Sequence, residues 1–250
     1  IAYGAFGFVL FGGMAPVAAQ LADKFSRSLL MVIFHFGIGL AAIVAGCAQS
    51  VWQLAVAIAL IGVFAAIYHP VGIAMLIKSN HKIGFRLGVN GVFGNMGVAA
   101  APLITGMLLA HGDWQLCFIV PGIFCLAYGV VFAFALEESD GTVASKKSRP
   151  SDAFAPQWRR ALAALALSTA SGGFIFGAMT FIVPRYFEIS MTNLSTSVAI
   201  TGLLAAIVFA VASFSQIGVG LLIDRFSPKT ILFSIACGQV VFIFLAATYT

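Results

Sequence analysis

The sequence predicts an all-α, polytopic membrane protein with about eight transmembrane helices, and three observations carry that prediction. Of the 250 residues, 61% are hydrophobic and 8% charged, against about 25% charged in an ordinary soluble domain. So few polar side chains would not cover a soluble surface of this size. Eight apolar runs, at about 3–21, 29–47, 52–77, 86–110, 115–137, 161–183, 197–222 and 230–249, approach the ~20 residues that a helix needs to cross a bilayer. Finally, every Lys and Arg except Arg185 falls in alternate loops.

Each run is apolar on all sides. That excludes barrel strands, which would alternate with a period of two. Lys24 and Arg27 follow the first run, and Lys78, Lys82 and Arg86 follow the third. Lys146, Lys147, Arg149, Arg159 and Arg160 follow the fifth, and Arg225 and Lys229 the seventh. The excess of basic residues in cytoplasmic loops places these four loops inside, and the first residue outside. If the complete protein starts in the cytoplasm, an odd number of helices precedes, most simply one. The chain opens at Ile1 on an apolar run with no basic n-region or cleavage site, so no signal peptide is expected. A fragment open at both ends is expected instead.

Residues 138–160 form the long polar stretch, with Pro, Ser, Gly, Asp and Lys. Its composition fits a linker. The expected division is a first helical bundle over 1–137, lacking its first helix, a cytoplasmic linker over 138–160, and three helices of a second bundle over 161–250.

Other functions find little support. The net charge of +5 is scattered over short loops and makes no basic stripe, so no nucleic-acid partner is expected. Cys47, Cys117, Cys125 and Cys237 lie in or beside apolar runs without ligand spacing, and read as packing residues. No phosphate-cradling Gly-Lys-Ser/Thr loop, metal cluster or Ser/His/Asp set is evident. Neither a cofactor, a metal nor a catalytic residue is therefore expected.

One motif occurs twice. "LADKFSR" at 21–27 and "LIDRFSP" at 222–228 align Asp23 with Asp224, 201 residues apart. Both copies follow an apolar run, and they stand six runs apart on the same predicted side. An even number of intervening spans makes a parallel repeat about an axis along the membrane normal.

The longer stretches "AQLADKFSRS" and "GLLIDRFSPK" resemble the signature loop of the major facilitator superfamily, G-x-x-x-D-R-x-G-R-R, which follows the second and eighth helices. In the first copy Asp23, Lys24 and Arg27 match, while Ala19, Ser26 and Ser28 depart. In the second, Gly220, Asp224, Arg225 and Lys229 match, while Ser227 and Pro228 depart. The resemblance implies bundles with a parallel six-helix pseudo-repeat, of which this chain covers helices two to nine of twelve. It also implies a monomeric multi-pass protein of the cell membrane, of bacterial inner-membrane type. The activity implied is secondary transport of a small solute by alternating access, with proton coupling as an option. An integral-membrane enzyme, or a non-transporting receptor or structural protein, is the alternative.

The fourth run, "RLGVNGVFGNMGVAAAPLITGML", is similar to the family's glycine-rich fifth helix. The Gly-Pro and Gly-Gly pairs of the antiporter version are replaced by Ala101-Pro102 and Ile104-Thr105-Gly106. "YHPVG" at 68–72 is similar to a His-Pro pair in the fourth helix of some fosmidomycin-resistance-like exporters.

The family reading makes Asp23 and Asp224 cytoplasmic latches, each bonding the positive N-terminus of a helix from the other half. The competing reading is an interfacial charge that ends a helix. Asp224 is expected to meet the start of the fourth run around Lys82 to Leu87, with Arg86 adding an ion pair. Asp23 is expected to lack a partner, because the eleventh helix lies outside the chain. The spans hold no Asp, Glu, Lys or Arg away from their ends, so His69 and His35 are the titratable candidates for a proton or substrate path. His69 precedes Pro70, which can kink its helix and free carbonyls. A neutral histidine bonded to a neighbouring helix is the alternative for both. Asn90, Asn95 and Gln216 either contact solute or bond adjacent helices. Gly88, Gly91, Gly94 and Gly97 are expected to form one groove for close helix packing.

Overall fold

A computed structural model describes residues 4–77, 82–137, 158–190 and 198–248, which form nine helices and, among the described residues, no strand. They are α1 (Ala5–Lys24), α2 (Arg27–Gly46), α3 (Val51–Ala65), α4 (Tyr68–Leu76), α5 (Ile83–His111), α6 (Leu116–Glu137), α7 (Trp158–Ser190), α8 (Val198–Ile223) and α9 (Pro228–Thr248). With α3 and α4 taken as one span, eight segments are long and apolar enough to cross a bilayer. The predicted number of spans and the helical fold class therefore stand.

Two elements differ from the expected runs. The third run breaks at Ala66–Ile67. Pro70 offers no N–H to the Ala66 carbonyl, and its ring crowds that carbonyl. The helix tightens there, with the Ile67 N–H donating to Phe64 O at 3.1 Å, and resumes where Val71 N–H reaches Ile67 O. The sixth run was expected over 161–183, but α7 has 33 residues and continues through Pro184. At 1.5 Å per residue that is about 50 Å, longer than the ~30 Å apolar core. Its polar ends have no need to stay within hydrocarbon, and Arg185 and Glu188 pair there at 2.7 Å. Residues 138–157 of the expected linker lie outside the described residues; 158–160 open α7.

The buried core lies in the first part of the chain. Ala18, Leu30, Met31, Ile67 and Val71 form its centre, covered by Phe34, Phe64, Tyr68 and Phe132 among others. Three helix pairs approach through glycine. Gly7 meets Gly62 where α1 crosses α3, and Gly39 meets Gly122 where α2 crosses α6. Gly84 meets Gly220 where α5 crosses α8. Lipid gives helices no hydrophobic reason to associate, so close backbone packing at small residues supplies the attraction. The α5–α8 pairing is the most extensive and joins the two sides of the 138–157 segment.

Candidate functional site

The repeated motif has the same backbone construction in both places. The Phe25 N–H donates to Leu21 O and the Phe226 N–H to Leu222 O, each at 2.8 Å. Ser26 and Ser227 then start the next helix. The Ser26 hydroxyl accepts from Leu29 N–H at 3.4 Å, and the Ser227 hydroxyl from Thr230 N–H at 3.3 Å. These serines replace the glycine of the family motif, and the gain is an N-cap that satisfies an otherwise orphaned donor. A Ser three residues before each new apolar run was the signal in the sequence for this capping role.

Beyond the backbone the copies diverge. One Asp224 oxygen accepts from Gly84 N–H at 2.8 Å, and the other from Phe85 N–H at 2.9 Å. Both donors lie in the first turn of α5, where intrahelical partners are lacking. The carboxylate thus meets the positive end of the helix dipole. Gly84 permits this: a Cβ there would stand 2.8 Å from the Asp224 carboxylate oxygen and collide with Gly220 O. Arg86 makes no ion pair with Asp224, whose carboxylate is spent on the backbone of α5. Asp23 is exposed and makes no hydrogen bond or ion pair with a described residue, and the same holds for the Lys24, Arg225 and Lys229 side chains.

Arg27 has a partner that sequence reasoning missed. Its guanidinium donates to Ala74 O at 3.1 Å, one of the terminal carbonyls of α4 that lack an intrahelical donor. A cation belongs at a helix C-terminus as an anion belongs at an N-terminus. The two loops therefore hold the two helix ends that flank the α4–α5 connection. Arg27 holds the end of α4, and Asp224 the start of α5. This brings the loops after α1 and α8 to the same end of the molecule as the last turn of α4 and the first turn of α5.

Farther along the helices lies a run of aromatic and imidazole rings. The His69 ring is exposed and edge-on to Phe11 of α1 at 5.8 Å and to Tyr68 at 5.6 Å. Tyr68 continues to Phe34 at 5.4 Å, and Phe34 to His35 at 4.8 Å. His35 is buried against Tyr128 and Phe132 of α6. Its Nδ1 lies 2.7 Å from Met31 O; a carbonyl can only accept, so this nitrogen carries the proton. The Tyr68 hydroxyl donates to Asn90 Oδ1 at 2.7 Å, bridging α4 and α5. Asn95 is half-buried without a side-chain bond to a described residue. The Gln216 amide lies over Gly91, where an added Cβ would strike its Oε1. The four-glycine groove needs correction. Gly84, Gly88 and Gly91 face α8, while Gly94 and Gly97 have open space beside them.

The family model of the Major Facilitator Superfamily matches residues 1–250. The chain belongs to that superfamily. The matching relatives include the puromycin resistance protein pur8 of Streptomyces alboniger, 34% identical over 113 residues, which are 44% of this chain and 22% of that protein. The multidrug resistance protein MdtG of Escherichia fergusonii is 27% identical over 229 residues, covering 89% of this chain and 56% of MdtG. MdtG of Salmonella paratyphi C is 26% identical over the same shares. This superfamily member therefore spans about half the length of its MdtG relatives, and it is a multi-pass membrane protein.

Proposed function

We propose that this superfamily member is a secondary transporter that moves a small organic solute by alternating access, and that Asp224 latches its cytoplasmic side. The observation that carries the reading is the pair of bonds from Gly84 N–H and Phe85 N–H to the Asp224 carboxylate. They join α8 to α5 across the largest helix pairing. Breaking them costs little. A charge at a helix end contributes ~0.3–1 kcal/mol, rising to ~2 when partly buried. A contact of that size biases two states without locking one. The relatives named for puromycin and multidrug resistance make export of organic small molecules the first transport to assay. His69 and His35 are the groups through which proton coupling would run, since the spans hold no acid away from their ends.

The test is flux by the full-length protein in proteoliposomes, with and without a proton gradient, for wild type and Asp224→Asn. Solute flux in wild type and a changed rate in the variant are expected. Absence of flux under both conditions would favour the enzyme or receptor alternatives. Flux unaltered by Asp224→Asn would remove the latch and leave the transporter.

A further inference from the structure

α5 has a second face. At 100° per residue, positions 86, 89, 90 and 93 lie opposite 84, 88 and 91, which meet α8. On that opposite side a cavity of about 300 Å³ opens between α4 and α5, lined by Leu76, Phe85, Arg86, Val89, Asn90 and Phe93. The volume is at the lower end of the ~300–1,000 Å³ typical of small-molecule sites.

The polar groups on this wall are donors. Arg86 is exposed, and its guanidinium makes no ion pair or hydrogen bond with a described residue. Asn90 has its oxygen engaged by the Tyr68 hydroxyl, which leaves the two N–H donors of its amide. The carboxylate bonded to this end of α5, Asp224, is committed to Gly84 and Phe85. The remaining wall is aliphatic and aromatic. We infer that the cavity between α4 and α5 binds an anion with an apolar body, its carboxylate or phosphate held by Arg86 and Asn90. A guanidinium presents a planar fork of donors matched to such groups, and Leu76, Phe85 and Phe93 would shield the apolar part. The chemistry is shared by a soluble organic anion and by an anionic phospholipid, whose headgroup would meet Arg86 with its chains in the bilayer. The site does not depend on the transport reading, because occupancy can be read without flux.

The experiment uses the full-length protein with its native cysteines replaced and Val89→Cys placed on the cavity wall, in phosphatidylcholine nanodiscs. A soluble maleimide reports access to residue 89. One arm adds naphthoate; the second replaces part of the lipid with phosphatidylglycerol; neutral naphthalenemethanol is the control. Protection by an anion is expected, with apparent affinity falling about tenfold or more in Arg86→Gln, the loss of a charged hydrogen bond. Arg86→Lys should recover only part of it, because an ammonium keeps the charge but not the planar fork. Protection by naphthoate alone assigns a soluble anion, by phosphatidylglycerol alone a lipid, and by both a shared anion site. No protection in either arm, equal protection by the neutral control, or unchanged affinity in Arg86→Gln would overturn the site. A Leu76→Cys series reads the same cavity from the α4 wall, should Val89→Cys fail to fold.

Discussion

Along α5, three glycine-to-alanine changes that look alike in sequence meet different neighbours. At Gly88 the added Cβ would stand 2.6 Å from the Gln216 carbonyl and 3.2 Å from Ile217 Cα. Both are backbone, so helix must move from helix, and overpacking of that kind costs about 1–3 kcal/mol. At Gly91 the obstacle is the end of the Gln216 side chain, which can rotate away. At Gly94 nothing lies within 4 Å, and replacing a helical glycine with alanine gains about 0.5–1 kcal/mol. Thermal unfolding of the detergent-purified full-length protein should rank the variants accordingly. Gly88→Ala should melt lowest, Gly91→Ala between it and wild type, and Gly94→Ala at or above wild type. Adding Gln216→Ala should rescue Gly91→Ala and leave Gly88→Ala unchanged. A reversed order would mean that α5 and α8 do not cross at Gly88. The glycines were legible as packing residues, but not which of them pack. A spacing of three falls 60° short of a turn, so the stripe rotates off α8 after Gly91. Gly84 stands four residues before Gly88, only about 40° round the helix from it, and so stays on the α8 face.

At the scale of elements, apolar length and the alternation of basic loops were enough to count the spans, because the bilayer leaves helices few options. The irregular backbone at Ala66–Ile67 was half legible. Pro70 announced a kink, whereas its place three to four residues upstream depends on which carbonyl the ring disturbs. The true length of α7 was not legible, since hydropathy marks where lipid ends and not where a helix ends. Beside the core packing of Ile67 and Val71, a side-chain bond ties the broken span to α5. The Tyr68 hydroxyl, one residue past the break, reaches Asn90 in α5. Asn90, readable from the sequence as either a solute ligand or an interhelical partner, bonds Tyr68 through its oxygen. Tyr68→Phe and Asn90→Leu should each lower stability, and the double variant should cost less than their sum. The coupling expected for a bond between membrane helices is ~0.6 kcal/mol, with an upper range near ~1.7. A double-mutant cycle on unfolding free energies measures it, and purely additive losses would show that the bond contributes nothing.

For the whole molecule, the two copies of one motif serve different connections. Arg27 ties α2 to the end of α4, and both lie before residue 138. Asp224 ties α8 to the start of α5, across the 138–157 segment. The repeat itself was readable from residues 21–27 and 222–228. The division of labour was not, because it depends on which helix end each loop happens to meet. If the parts before and after 138–157 move as bodies, the Asp224 contact breaks during opening and the Arg27 contact does not. Arg27→Gln should then lower thermal stability, by about 0.3–1 kcal/mol for a cation at a helix end, with opening unchanged. Asp224→Asn should instead shift the opening equilibrium. Val219 lines the cavity between α5 and α8 beside Gly84 and Gly220, so a Val219→Cys reporter reads that opening from the side proposed as cytoplasmic. Its labelling by a soluble maleimide should accelerate in Asp224→Asn by roughly twofold to thirtyfold, the range that ~0.3–2 kcal/mol allows. In Arg27→Gln it should match the parent. Equal acceleration in both variants would show that α4 and α5 release together, and the two-body description would have to give way to a local opening of the α4–α5 end.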